Sequence, residues 1–196
     1  MLDYGCGQGK LAELVFRNDP STKLSWYGVD QSPKMVNKAK ERLSNFQNKY
    51  DILLLPYGEP TSILTDQTFK DITEPTKSVD RFITTYCLDL LSEEDMYKVL
   101  KVAQNVLHPD NGRLILSGIT WGYGIKSIGN IKTFFMTLVW EFLYLFFRKK
   151  VGGCRPQNLE PYLKECGWTI IDCKKTLPAS FPWMVSEVIV AKPPQS

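Results

Sequence analysis

The sequence predicts an α/β fold: a doubly wound, mostly parallel seven-stranded sheet with an antiparallel last strand, in three α/β/α layers. Three observations carry that expectation. Short β-rich runs alternate with segments of helical periodicity, the pattern of parallel strands joined by crossover helices. The first run, Met1-Leu2-Asp3-Tyr4, breaks into Gly5-Cys6-Gly7-Gln8-Gly9-Lys10. Three glycines at every second position are what a buried strand needs where it ends in a loop that a ligand approaches closely. Finally, the last two β-rich runs are joined by a loop without a helix, so they form a hairpin and the final strand turns antiparallel. At 196 residues the chain accommodates one domain with a real core, and residues 1–196 are read as a single domain.

After the glycines, Leu11, Leu14 and Val15 recur at helical spacing until Asn18-Asp19-Pro20-Ser21 supplies turn residues. The N-terminus of this helix then sits on the glycine loop, where its unpaired N–H groups and positive dipole end favour a carboxylate or an oxygen-rich group. Leu24 to Val29 is a second strand ending in Asp30. An acid at that tip, about twenty residues past the glycines, accepts hydrogen bonds from ribose hydroxyls. Ser32 is a predicted N-cap and Pro33 a first helical residue. Met35, Val36, Ala39 and Leu43 form the apolar face of that helix, with Lys34, Lys38, Lys40, Glu41 and Arg42 opposite. Asp51 to Leu55 reads as a third strand, and Pro56–Pro60 and Thr73–Ser78 as loops.

Val79 to Leu91 reads as the fourth strand and its exit loop. Ligands of open α/β sheets lie beyond the carboxyl ends of the strands at the switch between the first strand and this one, which puts Tyr86, Cys87 and Asp89 on the candidate reaction face. Ser92-Glu93-Glu94-Asp95 is a capping box, and Met96, Val99, Leu100, Ala103, Val106 and Leu107 keep the 3.6-residue period. His108, the one histidine, reads as a helix-end residue rather than a catalytic one. Asp110-Asn111-Gly112 is a turn and Arg113 to Ser117 a fifth strand. Asn158 to Cys166 is a short helix stopped by Gly167, and Trp168–Cys173 and Met184–Ala191 are the closing strands.

The motif Leu2-Asp3-Tyr4-Gly5-Cys6-Gly7-Gln8-Gly9, together with Gly28-Val29-Asp30-Gln31-Ser32-Pro33 and the turn from Leu107 into Ser117, resembles the class I S-adenosylmethionine-dependent methyltransferases. The resemblance covers Met1 to about Ile119 and the last forty residues in layout. It implies methyl transfer from S-adenosyl-L-methionine, with Asp3, Gly5, Cys6, Gly7 and Gly9 holding the methionine moiety. It also implies Asp30 on the ribose and Gln31 and Met35 flanking the adenine, while Tyr86 and Cys87, by their place at the switch point, are further cofactor-binding candidates. For an acceptor that must lose a proton, Asp89 is the candidate base and Tyr86 the orienting group. The family's acid after the third strand is not assigned: neither Glu59 nor Asp66 stands in a convincing context. The resemblance further implies helices ahead of the first strand, so a shortened member or lost leading residues are expected. A nicotinamide oxidoreductase is disfavoured by Lys10, where the dinucleotide loop has Gly or Ala, and by the terminal hairpin. A binding or scaffold domain that keeps the fold without turnover is the alternative.

A net charge of +3, from 24 basic and 21 acidic residues, is too small to argue for nucleic acid, so a small-molecule acceptor is expected. The five cysteines form no C-x-x-C pair, which suggests neither a metal site nor a disulfide framework but reduced thiols in the cytoplasm; no secretory signal opens the chain. Within the insertion 119–157, Thr133 to Phe147 is apolar or aromatic except for Thr133, Thr137 and Glu141, and Arg148-Lys149-Lys150 follows. As a helix it reaches about 22 Å, short of a ~30 Å hydrocarbon core, and Glu141 would sit mid-membrane. It is read as a lid over the substrate cleft, with an interfacial helix making peripheral membrane contact through 133–150 as the other reading. Both imply an apolar or bulky acceptor.

Overall fold

The computed structural model describes residues 1–18, 24–48, 50–56, 78–121, 128–147, 154–177 and 184–194. Seven strands form one sheet: β1 (Leu2–Tyr4), β2 (Ser25–Asp30), β3 (Asp51–Pro56), β4 (Arg81–Thr85), β5 (Arg113–Thr120), β6 (Thr169–Thr176) and β7 (Val185–Lys192), in the spatial order β3-β2-β1-β4-β5-β7-β6. β1 to β5 pair in parallel, and β7 inserts between β5 and β6 antiparallel to both. The doubly wound topology with an antiparallel last strand is therefore as the sequence predicts. The chain leaves β1 toward β2 and β3 on one side and resumes at β4 on the other, which makes the crevice between β1 and β4 the switch point.

Five helices accompany the sheet among the described residues: α1 (Lys10–Asn18), α2 (Pro33–Leu43), α3 (Glu93–Val106), α4 (Ile128–Phe147) and α5 (Glu160–Glu165). Under α1 and α2, Ala12, Phe16, Trp26, Val36, Ala39 and Leu43 form one core. On the opposite face Phe82, Leu114, Leu116 and Ile189 meet Val99, Leu100 and Ala103 of α3 and Leu163 of α5. In α1 the buried pair is Ala12 and Phe16, whereas Leu14 is 59% exposed. A residue two positions from each of the buried pair lies about 200° round the helix, so Leu14 cannot share their face. Arg42 also departs from the solvent side predicted for it. Its guanidinium donates to the Gln8 carbonyl at 2.9 Å and pairs with Glu13 at 2.7 Å, tying α2 to the glycine loop and α1.

Local signals set the helix ends. The Ser92 hydroxyl accepts from the Asp95 amide at 3.1 Å at the start of α3. Ser32 stands at the N-cap of α2 with Pro33 behind it, but its side chain makes no capping bond. His108 follows α3, and its Nδ1 accepts from the Asp110 and Asn111 amides at 3.2 and 3.3 Å, shaping the turn into β5. Gly167, at φ +78°, ends the α5 segment in the left-handed region. α4 starts five residues before Thr133 and spans 20 residues. Trp140 Nε1 donates to the Cys154 carbonyl at 3.0 Å and Thr137 is buried, so one side of α4 is docked. Among the described residues no helix is long and apolar enough to cross a membrane. Glu59, Asp66, the proline-rich loop and Arg148-Lys149-Lys150 lie outside the described residues.

Candidate cofactor groove

β1 ends in a loop that doubles back on β2. The Gly5 and Cys6 amides both donate to the Val29 carbonyl at 2.9 Å, and the Gly9 amide closes the turn onto the Cys6 carbonyl at 3.0 Å. Gly5, Gly7 and Gly9 have φ of +77°, +54° and +70°, a region that costs an L-residue roughly 1–2 kcal/mol. At Gly5 close approach adds to this: a Cβ would stand 2.5 Å from Cys87 Sγ. At Gly7 a Cβ would meet nothing within 4 Å, since this glycine faces open space. That space is a groove of about 320 Å³ lined by Gly5, Cys6, Gly7, Gln8, Lys10 and Leu11, with Met35 of α2 and Thr85 of β4 on its flanks. The first turn of α1 thus points its amide end into the groove.

Two carboxylates stand behind the loop. Asp30, at the tip of β2, accepts from the Gly7 and Ser32 amides, each at 2.8 Å, one on each carboxylate oxygen. Asp3 is 1% exposed and neither of its oxygens has a hydrogen-bond partner. Burial first, and the nearby Asp30 charge second, push its carboxyl up to about 7. Burial likewise pushes the Cys87 thiol up to about 12 and the Cys6 thiol well above its ordinary value, so both are protonated packing groups at neutral pH.

The other sequence-predicted residues are placed as follows. Met35 lines the groove, and Gln31 is exposed just beyond the tip of β2. Cys87 packs beneath Gly5. Tyr86 has φ +51°, a strained value for a side chain with a Cβ, and its hydroxyl lies 2.9 Å from Ser186 Oγ. Asp89 sits in the short turn Leu88–Leu90, is 3% exposed, and has no hydrogen-bond partner on either oxygen. Burial raises its carboxyl to about 6, and it is absent from the groove lining. Gln8, Lys10, Leu11 and Thr85 also line the groove, beyond the residues the motif points to; the sequence signal for Thr85 is its place as the last residue of a strand at the switch point. A second cavity, about 340 Å³, lies past the carboxyl end of β5 among Trp121, Glu141, Arg155, Gln157 and Tyr162. Among the described residues none of α4 lines the glycine groove, while Glu141 of α4 lines this second cavity.

Comparison with known families decides which cofactor fold this is. A family model described as a methyltransferase domain matches residues 1–110, more than half of the chain. The chain belongs to the methyltransferase-domain family. Its sheet is that of the class I, Rossmann-like methyltransferases. Among solved structures, the methyltransferase domain is similar to an S-adenosylmethionine-dependent methyltransferase from Methanosarcina mazei, at 15% identity and a TM-score of 0.66, over 100% of this chain and 92% of that one. It is similar to the mitomycin 7-O-methyltransferase MmcR at 21% identity and 0.61, over 97% of this chain and 48% of that one. It is also similar to the [4+2]-cyclase SpnF at 16% identity and 0.62, over 100% and 75%. Identities this low show the shared fold alone. The methyltransferase domain spans about half the length of MmcR. No curated protein matches it.

The residues present fit S-adenosylmethionine. Its cationic methionine end suits the Asp3 carboxyl, which is buried without a partner, its ribose hydroxyls suit Asp30 at the tip of β2, and its own carboxylate suits the amide end of α1. The open side of Gly7 leaves room that a side chain would fill.

Proposed function

We propose that this domain transfers a methyl group from S-adenosylmethionine to a small, apolar or bulky acceptor. The observation that carries the reading is the glycine cradle at the switch point, backed by the unpartnered carboxylate of Asp3 and flanked by Asp30. Asp3 and the Gly5–Gly9 loop would hold the methionine end, Asp30 the ribose, and Met35 and Gln31 the adenine. Asp30 would give up its bond from the Gly7 or the Ser32 amide, or share it, to take a hydroxyl. When bound, S-adenosylmethionine supplies an electrophilic methyl on a sulfonium whose sulfur leaves with the bonding pair.

Among the described residues the groove lining offers no carboxylate or imidazole to act as general base, and the Cys6 thiol in it is held protonated. The chain's own contribution is accordingly positioning and water exclusion. An acceptor seated in the second cavity would lie between Trp121 and Tyr162 with Glu141, Arg155, Gln157 and Asn158 beside it, which supports a bulky acceptor that carries polar groups. Asp89 serves as a base in this reading only if the turn Leu88–Leu90 opens, because its carboxylate is buried.

That burial favours a second reading, a domain that binds the cofactor without turning it over. Calorimetry with S-adenosylmethionine, followed by incubation with methyl-labelled cofactor and a panel of phenolic, quinone and lipid acceptors, distinguishes the two. Binding weakened by Asp30→Ala, with label transferred, is expected; binding without transfer selects the second reading, and no binding removes both.

A further inference from the structure

Outside the groove, most of the exposed large hydrophobic side chains among the described residues lie on α4. Ile131, Phe135, Leu138, Phe142 and Leu145 recur at alternating spacings of four and three, so they form one stripe, and all are exposed, Phe135 by 62% and Leu145 by 73%. Phe146 widens the stripe, its ring 4.6 Å from that of Phe142. From Ile131 to Leu145 it runs about 21 Å along the helix. The opposite side is occupied, with Trp140 bonded to the Cys154 carbonyl and Thr137 buried, and on the flank of the stripe Phe134 lies against Trp121.

Charge selects the occupant. The sole acid between residues 128 and 150 is Glu141, which flanks the stripe at the side where it lines the second cavity. Near the start of the stripe stands exposed Lys132, and in the sequence Arg148, Lys149 and Lys150, which lie outside the described residues, directly follow Phe147. A second copy of this chain would bring cations onto cations. A parallel pairing sets each basic end beside its twin, and an antiparallel one sets Lys132 against the basic triplet. Anionic headgroups satisfy both ends while acyl chains receive the phenylalanines and leucines.

We propose that α4 docks this domain on an anionic membrane surface, lying in the interface with its aromatic stripe toward the acyl chains. The contact is peripheral and leaves the glycine groove untouched, since no described residue of α4 lines it.

The test is sedimentation of the full chain with vesicles of phosphatidylcholine alone or mixed with phosphatidylserine, at low and high salt. The chain should pellet with the mixed vesicles, and salt should release it. Replacing Arg148, Lys149 and Lys150 by Gln should weaken partitioning to the mixed vesicles about a hundredfold, at about fivefold per basic residue. The exposed-stripe variant Phe135→Ser/Phe142→Ser/Leu145→Ser should lose binding while keeping its circular dichroism; should it fail to fold, the Gln variant still tests the charge contribution. Wild-type chain left in the supernatant with phosphatidylserine vesicles at low salt overturns the proposal, as does equal binding by the folded Ser variant. A concentration-dependent dimer that the Ser variant dissolves, without vesicle binding, assigns the stripe to self-association instead.

Discussion

Protonation of Asp3 should gate cofactor affinity. In the free protein its carboxyl, 1% exposed and unpartnered, is raised to about 7. A bound cation pairs with the ionised form only, so binding must expel a proton wherever Asp3 is still protonated. If the bound-state value lies well below 5, the free fraction competent to bind changes by the ratio (1 + 10^1.5)/(1 + 1), so affinity for S-adenosylmethionine should rise about sixteenfold from pH 5.5 to pH 7.0. Isothermal titration across that range, in buffers of different ionisation enthalpy, reads both the affinity and the released proton. Asp3→Asn removes the titrating group at nearly constant volume and should bind weakly with a flat profile. A flat profile in the wild type, or an unchanged slope in Asp3→Asn, refutes the pairing of Asp3 with a cofactor cation. The same shift has a stability consequence. The folded state keeps this proton longer than the unfolded chain, so Asp3 lowers stability as pH rises from about 4 through about 7. The free protein should therefore melt lower at pH 8 than at pH 6, and Asp3→Asn should recover part of the loss, on the order of 4 kcal/mol at full ionisation.

Gly5→Ala combines a positive φ, roughly 1–2 kcal/mol, with a Cβ 2.5 Å from Cys87 Sγ, about 1–3 kcal/mol of overpacking. Its denaturation midpoint should fall, and Cys87→Ala in the same chain should recover only the part due to the sulfur, because the Cβ of residue 87 would still lie 2.7 Å from the new one; full recovery would mean that neither that contact nor φ costs anything there. Ser92→Ala removes the acceptor for the Asp95 amide and should lower the urea midpoint by about 1 kcal/mol at constant m-value. Arg42→Met should loosen the loop by freeing the Gln8 carbonyl, which hydrogen exchange at Gly7 to Gly9 reads; unchanged protection would show that the turn holds itself.

What the sequence determined by itself was local. Glycines at alternate positions, an acid at the tip of the second strand, a serine cap three residues before an acid, and a loop in place of a crossover helix each act within a few residues, so strand count, winding and the antiparallel last strand are legible in the residues alone. The groove is legible in outline for the same reason: Gly5, Cys6, Gly7 and Met35 line it as neighbours of those signals. Tertiary structure decided what depends on partners far apart in the chain. It fixed which side of α1 is buried, because the loop sets the helix rotation, and it recruited Arg42 to the loop across 34 residues. It also buried Asp89 and Asp3, since solvent access is a property of everything packed around a carboxyl and not of its own stretch. On α4 the hydrophobic pattern predicted a helix, but whether its apolar residues were covered or bare was decided by what the rest of the fold set against it: one side was docked on Trp121 and Cys154, and the phenylalanine stripe was left outside.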